Sequence, residues 1–305
     1  MRALLVANAD DADPGFIGQR FVEHGFVGER FKDHGSKFEY CERENPDMWP
    51  SLDGADLVVL LGSWWSAYWP DVAKNVRAEC DLILETHRRG IPLFGICFGA
   101  QIMATAFGGS AQRAQQHEVG WHKVTAESPN EVIAGTWLQW HYDTFTVPNS
   151  LEVIATSPAG PQAIRAGRSF ATQFHPEVTE QIVTRWASDS GEAELAKVGL
   201  IASELIAQTR EEVKQSAPAA AVPVVPHRRG PPLRPHRRPH RRHQFPPLLC
   251  HRRASAPALP YRAARPRHRP YRPPASLHRR LLHRDADAPG PTAQGRPPRV
   301  RTRRG

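Results

Sequence analysis

The chain has 305 residues, enough for one large domain or two ordinary ones, and its formal charge of +9 is unevenly placed. Residues 1–215 hold 18 Lys+Arg against 29 Asp+Glu, a net of −11, while residues 216–305 hold 22 Arg, no Lys and 2 Asp, a net of +20. All 8 Trp precede residue 216 and 19 of the 29 Pro follow it, so the core is confined to an acidic first segment and a basic, nucleic-acid-binding enzyme is excluded as a description of the whole.

Residues 3–7 form a short apolar run, and Asp10, Asp11 and Asp13 follow where a secretory leader would still be apolar. The run is expected to be a first strand. Residues 55–61 read as a second strand, continuous in apolar character as strands buried on both faces of a parallel sheet are. Neither approaches the roughly 20 apolar residues of a membrane-spanning helix, so no membrane segment is expected. In residues 71–89 the apolar Val72, Val76, Cys80, Ile83 and Leu84 recur every three or four positions, predicting a helix with Asp71 as N-cap and Gly90 as its stop.

Residues 91–96 read as a third strand, followed at once by a helix over 98–107 that Gly108-Gly109 ends. Short strands are expected at 117–126, 151–156, 162–165 and 170–174, and two acidic amphipathic helices at 180–188 and 192–214. Alternating strands and helices predict an α/β fold, an open and mostly parallel sheet flanked by helices. Cys41, Cys80, Cys97 and Cys250 show neither paired spacing nor Cys-x-x-Cys, which argues against a disulfide framework and a thiolate zinc site and fits a reducing cytoplasm.

From Ser216 onward Lys, Glu, Asn, Ile, Met and Trp are all missing. Dense like charge and frequent Pro predict a disordered tail, which divides the chain into a domain at 1–215 and a tail at 216–305. One reading of the tail is an electrostatic arm for RNA, DNA or an anionic surface. We favour another, translation of a GC-rich gene in a shifted frame, because the residues of A/T-rich codons vanish together. The eight tail His lie among Arg, which disfavours a metal.

Two stretches carry chemistry. In Phe94-Gly95-Ile96-Cys97-Phe98-Gly99-Ala100-Gln101 a Cys stands between two glycines at a strand-to-helix junction, the layout of a nucleophile elbow. A helix N-terminus favours thiolate there and aims the Phe98 N–H where an oxyanion would form. Spacing alone leaves this level with the alternative that Cys97 is a small buried hydrophobe. In Phe170-Ala171-Thr172-Gln173-Phe174-His175-Pro176-Glu177, a strand delivers His175 to the carboxyl edge of a sheet. Glu177 follows two residues later, able to turn back and fix the imidazole tautomer. Taken alone, a His before Pro is an ordinary loop residue.

Together, Gly-x-Cys-x-Gly-x-Gln and Phe-His-Pro-Glu resemble the class I, triad-type glutamine amidotransferases over about residues 1–190, with features of the GMP-synthase-like branch. The resemblance implies a flavodoxin-like fold with Cys97 as nucleophile, His175 as general base and acid, and Glu177 as its orienter. It also implies that Gln101 lines the glutamine pocket and that Gly62 and Phe98 supply the oxyanion N–H groups. Glu118-Val119-Gly120-Trp121 is similar to a Glu-x-Gly segment, and Trp140-His141-Tyr142-Asp143 to a His-x-Asp stretch, which marks Trp121 and Asp143 as substrate-binding. His141 and Asp143 fit ordinary strand-end polar residues equally well. Where the family carries Gly-Gly-Pro-x-Ser, this chain has Gly62-Ser63-Trp64-Trp65-Ser66, keeping Gly62 and Ser66 and replacing the Pro.

The implied activity is release of ammonia from the glutamine side-chain amide, with no metal or organic cofactor, for transfer by a synthetase subunit. A stand-alone γ-glutamyl peptidase would use the same triad. A nucleic-acid-binding protein acting through the Arg-rich tail is the third reading.

Overall fold

The computed structural model describes residues 2–23, 39–128, 133–188 and 190–219. By contact the chain divides into a unit spanning Met1–Pro235 and another spanning His236–Gly305. The second unit lies outside the described residues, as do Cys250 and the expected tail from 220 on.

Among the described residues nine strands form one sheet, in the order β2-β1-β3-β4-β9-β8-β7-β5-β6. Strands β1 (Ala3–Ala7), β2 (Glu39–Glu42), β3 (Leu57–Leu60), β4 (Leu93–Ile96) and β9 (Ser169–Thr172) pair in parallel. The remaining strands, β5 (Ser110–Ala126), β6 (Gly135–Thr146), β7 (Glu152–Ser157) and β8 (Gly160–Ala166), join by antiparallel pairing. The expected α/β sheet is thus parallel over β2, β1, β3, β4 and β9 and antiparallel over the rest.

Every residue of β1, β3 and β4 is buried. The two-residue period sends alternate side chains to opposite faces. Leu5, Leu57, Val59, Phe94 and Ile96 meet Ile17 and Phe21 of α1 (Gly15–Glu23) on one face. Leu4, Val6, Val58, Leu60 and Leu93 meet Ile83 of α2 (Ala73–Arg88) and Ile102 and Met103 of α3 (Phe98–Ala106) on the other. Each such aliphatic contributes about 1.5–3 kcal/mol by leaving water.

Some expected elements are corrected. Pro70–Val72 forms a 3-10 turn, so α2 starts at Ala73, its N-cap is Val72 without a side-chain cap, and Asp71 does not cap it. The expected helix over 192–214 is two helices, α5 (Ser190–Lys197) and α6 (Ala202–Ala219). The chain breaks at Gly199, whose φ of +76° is left-handed. The helix at 180–188 is α4 (Glu180–Trp186), capped by Thr179 Oγ1, which accepts from Ile182 N. Strand β5 begins at Ser110, seven residues before the expected 117, because its first half is exposed and polar and leaves no apolar alternation to read.

Helices α4, α5 and α6 close a third apolar cluster over β5 and β6, built on Val119, Leu138, Ile182, Val183, Leu195 and Leu205. No described helix is long and apolar enough to cross a membrane.

Candidate active site

Strands β3, β4 and β9 are parallel neighbours, so the residues just beyond Leu60, Ile96 and Thr172 share one sheet edge. Open α/β sheets build their sites at that carboxyl edge. Cys97 follows β4 with φ of +52° and ψ of −102°, the one positive φ outside glycine among the described residues. A non-glycine residue in such a region costs on the order of 1–3 kcal/mol and persists only when its surroundings over-determine it.

Here they do. Cys97 N donates to Thr172 O at 2.7 Å, and Cys97 O accepts from Ala100 N and Gln101 N of α3. The flanking glycines allow the turn: a Cβ at Gly95 would stand 2.8 Å from the Gly99 backbone, and one at Gly99 2.6 Å from Leu60 O. The elbow therefore sets Cys97 at the N-terminus of α3 with Phe98 as its first residue.

His175 is fixed by its backbone N–H, which donates to Leu138 O of β6 at 2.9 Å. Its Nδ1 lies 2.7 Å from Glu177 Oε1, both side chains buried. With Nδ1–H given to the carboxylate, Nε2 is left without a hydrogen bond among the described residues. Burial opposes charge on this ring, yet the negative charge of Glu177 and that of Cys97 when ionised, with the Glu177 hydrogen bond, outweigh it and raise its pKa from 6.5 to about 10. Imidazolium is therefore the favoured resting form of the ring.

Glu177 is held in turn by α1: Phe16 N donates to its carbonyl, and Gly15 packs so closely that a Cβ would fall 1.9 Å from Glu177 O. Trp186 stands edge-on to His175 with centroids 4.9 Å apart, its indole N–H donating to Asp11 Oδ2. Burial, followed by the repulsion of Glu177, keeps the Asp11 carboxyl above its usual range against the indole hydrogen bond and Arg185.

Gly62, just past β3, faces both groups: a Cβ there would lie 3.2 Å from His175 Cε1 and 3.6 Å from Cys97 Cβ. Gln101, one turn into α3, is buried and donates to Gln173 Oε1 at 3.4 Å, and Gln173 Nε2 donates to Cys97 Sγ at 3.5 Å.

Asp143 accepts from Ser66 Oγ and Tyr68 O–H, which ties it to the loop that Gly62 begins, and Arg113 lies 3.7 Å from it. Glu118 lies 3.4 Å from His141 Nε2 and accepts from Ser157 and Gln162. Burial opposes its charge, but the neighbouring His141 and then Ser157 hold its carboxyl below the usual range. His141 Nδ1 meets Asp143 O at 2.9 Å. Trp121 turns elsewhere, packing under α6 with its indole N–H donating to Thr209 Oγ1 at 3.0 Å.

Thus Cys97, His175, Glu177, Gly62, Phe98 and Gln101 share one edge, Asp143 joins through Ser66 and Tyr68, and Trp121 lies with α6. Sequence reading missed Gln173, Trp186, Asp11 and Arg43. Only Gln173 carried a signal, standing two residues before His175 on the same strand exit. Among the described residues no group of three or more His, Cys, Asp or Glu is placed to hold a metal.

Residues 42–184 match the family model "Glutamine amidotransferase class-I". This match spans just under half of the chain, and the sheet edge and elbow resemble that family. The chain is 34% identical over 105 residues to the GMP synthase [glutamine-hydrolyzing] of Desulfotalea psychrophila, covering 31% of this chain and 20% of that protein. The Porphyromonas gingivalis GMP synthase [glutamine-hydrolyzing] is 34% identical over 151 residues, 46% of this chain and 28% of that protein. The chain therefore spans less than a third of the length of these curated relatives. A glutamine amidotransferase of Thermotoga maritima superposes with TM-score 0.63 at 27% identity, covering 72% of this chain and 95% of that one. One from Methylobacillus flagellatus, at 18% identity and TM-score 0.58, shares the fold.

Proposed function

We propose that this domain is a Cys-His-Glu amidohydrolase that releases ammonia from the side-chain amide of glutamine. The observation that carries the reading is the strained Cys97 elbow beside the buried His175–Glu177 pair. The Cys97 thiolate adds to the γ-carbonyl carbon, and the N–H groups of Phe98 and of the loop at Gly62 hold the resulting oxyanion. As the carbon–nitrogen bond breaks, His175 gives its proton to the departing amine, and ammonia leaves. His175, now neutral, takes a proton from water, whose oxygen attacks the γ-glutamyl thioester. Glutamate departs and the thiolate returns. Gln101 and Asp143 are assigned to binding the rest of the substrate, whereas Trp121, packed under α6, is not.

The similarity to glutamine-hydrolysing GMP synthases supports a synthetase partner as the ammonia acceptor, acting beside a domain of residues 1–215. The free thiols at Cys41, Cys80 and Cys97 suit a reducing cytoplasm. A second reading, a γ-glutamyl peptidase, draws on the loop after Gly62: Trp64, Tyr68 and Trp69 are exposed, offering aromatic surface to a larger leaving amine.

Incubating the protein with L-glutamine and with γ-glutamyl dipeptides, and measuring ammonia against amino-acid release, separates the two. Ammonia from glutamine supports the first reading and amino acid from dipeptides alone the second. Turnover of neither, or turnover that persists in Cys97→Ala, would overturn both.

A further inference from the structure

Arg43 lies immediately after β2 with its side chain wholly buried, an expensive place for a cation. Its Nε donates to Glu79 Oε1 of α2 at 2.8 Å. The rest of the guanidinium serves two backbone carbonyls, the Asn8 side chain and, at 3.4 Å, the second Glu79 oxygen. One amino group donates to Leu61 O at 2.8 Å, the other to Gly62 O at 2.8 Å and to Asn8 Oδ1 at 2.7 Å. The guanidinium also lies over the Phe98 ring, 4.9 Å from its centroid. Burial raises the Glu79 carboxyl against the opposing pull of Arg43.

A structural ion pair would need only Glu79. The two carbonyls are different: they belong to the peptides whose N–H groups are those of Gly62 and Ser63. In a trans peptide the C=O and N–H point in opposite directions. Two successive carbonyls drawn to one guanidinium therefore turn both N–H groups away from it, on a segment whose Gly62 lies against Cys97 and His175. A cation at the carbonyl end also polarises each peptide and strengthens its N–H as a donor. Meanwhile Phe98, under the same guanidinium, begins the helix that carries the other oxyanion N–H.

We propose that Arg43 is a positioning residue for the oxyanion hole, aiming and polarising the Gly62–Ser63 peptides and locating Phe98 without touching the reacting atoms. The inference rests on the hydrolase reading above. It also explains how the loop keeps its direction with Trp64 and Trp65 where the family has a Pro.

The test uses the full chain with Arg43→Lys, which keeps the charge but loses the planar fork that spans Glu79 and two carbonyls. Four readouts are taken: thermal unfolding, kcat and KM for L-glutamine, inhibition by L-glutamate γ-semialdehyde, and alkylation of Cys97 by iodoacetamide. The semialdehyde forms a thiohemiacetal that places oxygen in the oxyanion hole. Alkylation is a direct displacement at carbon and needs no such hole. With cooperative unfolding retained, kcat should fall about 10²-fold, as when an oxyanion donor is lost, and semialdehyde inhibition should weaken by a similar factor. KM and the alkylation rate should stay within about threefold of wild type.

An Arg43→Lys kcat within that same threefold, or alkylation falling in step with kcat, would overturn the inference while the hydrolase reading stood. A wild type that hydrolyses neither glutamine nor γ-glutamyl dipeptides would overturn the reading and the inference with it. Should Arg43→Lys lose cooperative unfolding, Arg43→Gln carries the same readouts, since it keeps a donor toward the carbonyls and lets Glu79 take up a proton.

Discussion

The parallel and antiparallel halves of the sheet handle their backbones differently. In β1, β3 and β4 both faces are covered and no residue reaches water. In β5 the segment from Ser110 to His117 is largely exposed, the register slips between Arg113 and Glu118, and burial begins only at Glu118. Strain is tolerated where packing leaves no alternative, so the positive φ of Cys97 sits at the end of a fully buried strand. The antiparallel half contributes support: Leu138 O holds His175, and Asp143 holds the loop of Ser66 and Tyr68.

If that division is right, changes at the parallel edge should damage chemistry most. His175→Ala should lower turnover about 10⁴-fold or more, and Glu177→Gln about 10²-fold or more, because Gln keeps a hydrogen bond to Nδ1 but removes the charge that steadies imidazolium. Single-turnover acylation, measured apart from thioester hydrolysis, checks the order. Near-wild-type rates in both would break the comparison.

Next comes the buried ion pair under the same edge. Glu79→Leu leaves the Arg43 guanidinium without its carboxylate and should cost about 3–5 kcal/mol in urea unfolding. A loss below about 1 kcal/mol, the size found for exposed pairs, would show that the pair is not buried in solution.

The raised pKa of His175 makes a signed prediction. Its ring gains a proton more readily folded than unfolded, so the stabilisation is fully present below pH 6.5 and is lost as pH rises through about 10. Cys97→Ala removes one of the charges that raise it, so the His175 titration followed by nitrogen NMR should move down from about 10 in that variant. An unmoved titration would mean the two groups do not interact.

The smallest effect belongs to the antiparallel half. Thr209→Val deletes the acceptor of the Trp121 indole and should cost about 1–2 kcal/mol in thermal unfolding, with kcat for glutamine unchanged. A larger loss in kcat than in stability would tie α6 to the chemistry.

The same contrast governs what could be read in advance. Strands β1, β3 and β4 were legible because burial on two faces demands continuous apolar runs, and the elbow because only glycines at 95 and 99 fit the turn. Strand β2 escaped notice because an edge strand tolerates Glu39 and Glu42. The polar start of β5 and the split between α5 and α6 were also missed, although Gly199 stood in plain view. Arg43 was illegible for another reason: its partners at 8, 61, 62 and 79 are set by topology, and no local spacing announces them.

The central claim is that Cys97, activated by His175 and oriented through Glu177, forms a covalent γ-glutamyl thioester. Acid quenching of the full-length protein during turnover of L-glutamine, followed by mass analysis of its peptides, tests it most directly. The account predicts a γ-glutamyl adduct on the peptide containing Cys97, enriched in Glu177→Gln if hydrolysis becomes the slow step, and absent in Cys97→Ala. An adduct on another residue, or sustained ammonia release by Cys97→Ala, would contradict it.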